Sequence, residues 1–203
     1  MNPLTSVKGS IATGFIAAII IGMTLSMSGP LGMSIFNIAI VGRWLHIISG
    51  VMWIGLLYYF NVVQVPGLAA AAADTGGPGG AGVSKYIAPR ALLWFRWAAV
   101  ATWVTGAYYL IVGYGSLEAI HQAFSLQPTF RTIGVGAWLG TIMLFNVWVF
   151  IWPNQKKILG MVEATDEEKA KARKVALMAS RVNFVLSIPM LMCMGGQSHG
   201  LPF

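Results

Sequence analysis

Three histidines, His46, His121 and His199, are the side chains in this sequence suited both to bind a metal and to exchange a proton near neutral pH. His46 stands near the head of the apolar stretch GRWLHIISGVMWIGLLYYFNVVQVPG, Gly42 to Gly67. Gly42, His46 and Gly50 are four residues apart and stack on one helix face, with Arg43 close to that face. An imidazole with a glycine one turn above and one turn below suits a flat, bulky ligand. The nitrogen could coordinate iron, the missing side chains would leave room for a porphyrin, and Arg43 or Arg131 could pair with an anionic group such as a propionate. A second axial ligand would come from another helix or a loop; His199 and His121 are the histidines available, and the eleven Met are weaker donors. Two other readings fit the same residues. Small residues at four-residue spacing are also how membrane helices pack on each other. A copper or zinc site could use His46, His121 and His199, although no HxxxH spacing is present.

The elements that must position these residues are membrane helices. Of the 203 residues, 57% are hydrophobic and 9% charged, against roughly 25% charged in a soluble domain. The expected fold is all-α, a polytopic membrane bundle of one domain over 1–203 and in contact with a lipid bilayer. Five apolar stretches, about 10–28, 38–65, 92–114, 133–152 and 175–194, are each long enough to cross about 30 Å of hydrocarbon at about 1.5 Å per residue. AAAADTGGPGGAG, Ala70 to Gly82, reads as a small-residue loop, and the segment 115–130 as holding a short interfacial helix. The polar segment 153–174 contains Thr165 followed by Glu168, a capping-box pattern that predicts a helix in water.

Lys and Arg collect on the cytoplasmic side of membrane proteins. Placing 153–174 inside puts the N-terminus inside, the turn around Pro30 and the segment 115–130 outside, and the C-terminus outside. Of the thirteen Lys and Arg, all but Arg43 and Arg131 then lie inside, and those two share the outer side with the three histidines. The net charge of +7 reads as a report of Lys and Arg kept on the cytoplasmic side. No basic stripe with interleaved aromatics is present, so nucleic acid is not an expected partner. The single Cys193 excludes an internal disulfide and a CxxCH haem attachment, and reads as a small packing residue. Asn61, Gln64, Asn146 and Asn183 interrupt apolar runs and read first as interhelical hydrogen-bonding groups. No Ser/His/Asp set, phosphate loop or paired intramembrane carboxylates are visible.

Three stretches, RWLHIISGVMWIGLLYYFNVVQVP, FNVWVFIWPNQKKILG and ASRVNFVLSIPMLMCMGGQSH, together resemble the membrane domain of the bacterial membrane-bound urate hydroxylases, the urate oxidase N-terminal domain. His46 and His199 stand in matching contexts. WLHIISGVMWIGLLYY is similar, more loosely, to the histidine helix of the membrane haem proteins that oxidise protoporphyrinogen. The resemblance implies a bacterial inner-membrane oxidoreductase with haem b at His46. It would hydroxylate urate and pass electrons to a periplasmic cytochrome c. His199 would be second ligand or active-site base, and Arg43, with Arg131 on the same side, would meet an anionic substrate or a propionate. In full-length members a cytochrome c domain follows, and it is not expected within these residues, where a single Cys cannot make a CxxCH site. The contrasting expectation is a non-catalytic accessory subunit of a larger respiratory or oxygenase complex.

Overall fold

In the computed structural model residues 2–27 and 37–202 are described, and every described element is helical. The expected turn around Pro30 and the last residue of the expected 10–28 span lie outside the described residues. The chain divides into two units, Met1–Asn37 and Ile38–Phe203. The first holds α1 (Val7–Met27). Ile11, Ile16, Ile19, Ile20 and Ile21 all stand exposed along it. A helix apolar on every side suits lipid rather than a protein core.

The second unit is built from four long helices and one short one: α2 (Ile38–Ala73), α3 (Ala88–Gly113), α4 (Glu118–Phe124), α5 (Pro128–Ile158) and α6 (Asp166–His199). Helices α1, α2, α5 and α6 are long and apolar enough to cross a membrane. The third expected span, 92–114, forms as α3, which has the length but carries Arg90 and Arg96 among its apolar residues. It packs along α2. The interfacial helix expected in 115–130 is α4. Of the polar segment 153–174, residues up to Ile158 end α5 and those from Asp166 begin α6, so the helix expected after Thr165 forms as the start of α6. There the Thr165 backbone N–H donates to Glu168 Oε2 at 2.8 Å, and the Glu168 N–H donates to Thr165 Oγ1 at 3.2 Å. That capping box starts a helix that continues without interruption into the apolar core.

Three segments widen to π-helix: Tyr59–Gln64, Val83–Ile87 and Asn146–Ile151. Each is followed, after one intervening residue, by a proline: Pro66, Pro89 and Pro153. A proline has no N–H to donate and its ring crowds the carbonyl four residues back. In each case the N–H of the residue before the proline reaches five residues back instead, Val65 to Phe60, Ala88 to Val83 and Trp152 to Val147. The wider turn absorbs the crowding and keeps α2 and α5 continuous across the prolines.

The core lies between α2, α3, α5 and α6, around Trp53, Leu57, Phe95, Met143 and Val147. Two of the π segments turn amides into it. Asn61 Nδ2 donates to Ser180 Oγ at 2.9 Å, and Asn146 Nδ2 donates to Asn183 Oδ1 at 2.8 Å. Asn183 donates in turn to the Met143 carbonyl at 2.9 Å, and the Tyr58 and Ser187 hydroxyls are hydrogen-bonded at 3.1 Å. Ser180, Asn183 and Ser187 form one stripe of α6, so the interhelical role expected of Asn61, Asn146 and Asn183 is the one observed. Asn183→Leu strands the Asn146 donor in a dry interior and is expected to cost about 1–3 kcal/mol. Unfolding in mixed detergent micelles measures it, and adding Asn146→Leu should recover part of the loss.

Candidate functional site

His46 lies eight residues into α2, about 12 Å along its axis from Ile38. Its Nδ1 is 2.8 Å from the carbonyl oxygen of Thr102 on α3. A carbonyl only accepts, so Nδ1 carries the proton and the neutral ring holds its lone pair on Nε2. The ring reaches that carbonyl because Gly106 has no side chain. A Cβ at Gly106 would lie 2.8 Å from Cε1 and 2.9 Å from Nδ1 of His46. Thr102 is buried and turns its own hydroxyl back to the Ala98 carbonyl at 2.7 Å.

The glycines that flank His46 do not border an open slot. A Cβ on Gly42 would stand 2.6 Å from the ring of Tyr108, and one on Gly50 would stand 3.8 Å from Thr102 Cγ2. The face expected to leave room for a porphyrin is therefore packed against α3, with Tyr108 filling the space at Gly42. The physical cause is the one membrane helices commonly use: small residues one turn apart let two backbones approach. Arg43 is exposed, and its guanidinium lies 5.9 Å from the centre of the Tyr109 ring, a cation–π contact on the rim of the helix pair.

The other candidates gather at one end of the bundle. Tyr114, just past α3, meets Phe130 at a ring separation of 4.7 Å. Gln197 of α6 accepts from the Ile133 N–H at 3.0 Å and donates to the Thr129 carbonyl at 3.1 Å, tying the end of α6 to the start of α5. Arg131 and His199 are exposed at this level. His121 on α4 is also exposed, with Nδ1 3.0 Å from Glu118 Oε1. His46 sits deeper. Its partner Thr102 is eleven residues before the end of α3, about 16 Å along the axis. Trp103, next to Thr102, bonds Thr141 at 2.9 Å, ten residues beyond Arg131. His46, His121 and His199 thus fall in two layers. Among the described residues no three His, Cys, Asp or Glu side chains come together to hold a metal ion. The three-histidine metal site is not assembled. His199 stands at a helix end, and not beside His46 where a second axial ligand would be.

Gly106, Thr102 and Tyr108 were not singled out by sequence reading. The TWVTG run on α3 pairs a threonine with a glycine four residues on, but only the α2–α3 contact shows which imidazole they receive. Cys193 is buried, and a Cβ at Gly136 would lie 3.1 Å from its Cβ, as suits a small packing residue.

Residues 115–203, which comprise α4, α5 and α6 with His121, Arg131 and His199, match the family described as Urate oxidase N-terminal. No curated protein and no solved structure matches the chain. The helix that carries Arg43 and His46 lies before the matched segment. That segment is similar to the urate oxidase N-terminal family, and two of the three stretches that resemble the family lie within it.

Proposed function

We propose that the chain is the membrane domain of a redox protein of the urate-hydroxylase type. It would bind haem b through His46 Nε2 and pass electrons at its histidine-bearing end to a periplasmic cytochrome c. The observation that carries the reading is the His46–Thr102 hydrogen bond. A backbone acceptor on Nδ1 fixes the ring, selects the tautomer and makes Nε2 a better donor, the arrangement that metal-binding imidazoles use. The donor chemistry of His46 fits haem iron. The glycines at 42 and 50 support the α2–α3 contact, so the proposal does not rest on them. A bound haem would supply one-electron transfer. The protein's own residues orient the imidazole. Arg43, Arg131 and His199 would lie at the exit side, the two arginines attracting an anion such as urate and His199 able to take up a proton. With its other basic residues on the opposite side, the protein would sit in the bacterial inner membrane with that end facing out.

The test is an optical spectrum of the detergent-purified protein, oxidised and then reduced with dithionite. A Soret band with sharp reduced α and β bands is expected. A spectrum holding only the tryptophan band, from protein made with haem available, overturns the proposal. It would favour a second reading, an accessory subunit of a larger membrane complex. The packed α2–α3 glycine face supports that alternative, because it explains Gly42 and Gly50 by helix packing alone.

A further inference from the structure

At the end of the bundle opposite the histidines, a groove of about 590 Å³ runs between α5 and α6, lined by Asn146, Phe150, Lys171, Lys174, Met178 and Val182 among others. Its apolar part faces outward, since Phe150, Met178 and Val182 are all exposed large hydrophobics. Its two lysines are one turn apart on α6, just before the helix becomes apolar, where lipid headgroups lie. Two nearby lysines are already neutralised: Lys157 pairs with Glu168 at 3.9 Å and Lys169 with Asp166 at 3.8 Å. Among the described residues Lys171 and Lys174 are in no ion pair. From Lys171 or Lys174 to Val182 the helix rises about 12–16 Å, which is the depth of one leaflet of a hydrocarbon core about 30 Å thick.

We propose that this groove is a binding site for one anionic phospholipid. The phosphate would lie between Lys171 and Lys174, and one acyl chain along Met178, Val182 and Phe150. Charge complementarity at one end and a chain-length apolar track at the other select a lipid over a soluble anion. The lysines hold no structural ion pair, so their removal leaves the fold intact.

Native mass spectrometry of the full chain, titrated in detergent with phosphatidylglycerol or phosphatidylcholine, tests the site. One phosphatidylglycerol should be retained in preference to phosphatidylcholine. Lys171→Gln with Lys174→Gln should weaken it roughly tenfold or more. The charge-matched pair Lys8→Gln with Lys85→Gln should not. Val182→Trp, which fills the track and keeps both lysines, should also release the lipid. Equal weakening by both lysine pairs, equal retention of the two lipids, or displacement by excess inorganic phosphate would each overturn the proposal.

Discussion

His46→Ala protein is expected to purify without reducible haem, and Gly106→Ala protein with about tenfold less than the parent or lower, the loss typical when an imidazole's hydrogen-bonding support is disturbed. The first change removes the Nε2 donor. The second leaves it in place and acts on its position, because the new methyl group would lie 2.8 Å from Cε1 and 2.9 Å from Nδ1. The ring must then leave the Thr102 carbonyl that holds it. Gly50→Ala separates helix packing from cofactor contact. Its methyl would make only an ordinary 3.8 Å contact with Thr102. If it lowers haem content while the helices stay folded, the porphyrin uses the Gly50 face. If haem content is unchanged, Gly50 serves the helix pair alone. Haem per chain from the reduced spectrum, with circular dichroism as the control for folding, reads all three. Full haem in His46→Ala would exclude this histidine as the ligand.

The helical architecture was legible because a membrane span is written in consecutive apolar residues, and α2, α5 and α6 follow those runs. Their ends were less so. The 175–194 span reaches back to Asp166 because the capping box at Thr165 starts a helix that nothing in KAKARKVALMAS interrupts. Likewise α2 runs on to Ala73, past Pro66, because a π turn absorbs the proline that would otherwise have ended it. The histidine helix shows where a single-helix reading stops. The spacing of Gly42, His46 and Gly50 correctly identified one face. What that face meets depends on α3, and periodicity within α2 carries no information about Thr102, Gly106 or Tyr108. The shared side of the histidines was likewise readable from helix alternation. Their depth was not, since alternation fixes the end of a bundle and not the level within it.

The clearest measure of how tightly the histidine end is built comes from two glycines on one helix. A Cβ at Gly134 would run into the carbonyl oxygen of Ala123 and lie 2.9 Å from Leu126 Cδ2. The first of these is backbone at the end of α4, and it cannot rotate away as a side chain can. Gly134→Ala must therefore separate α4 from α5, and with them the 2.9 Å bond from Trp138 Nε1 to the Phe124 carbonyl. The expected cost is at or above the upper end of the about 1–3 kcal/mol seen for overpacking. Gly140, six residues along the same helix, is also buried, but an added Cβ there meets nothing within 4 Å. Gly140→Ala keeps the helix-propensity gain of about 1 kcal/mol and should stabilise. Unfolding of the two variants in mixed micelles should thus move in opposite directions from the parent. Intrinsic propensity is the same at both sites, so a difference in sign isolates the α4–α5 contact. If Gly134→Ala is as stable as Gly140→Ala, α4 is not held against α5 at Ala123, and the platform that carries His121 is looser than this packing requires.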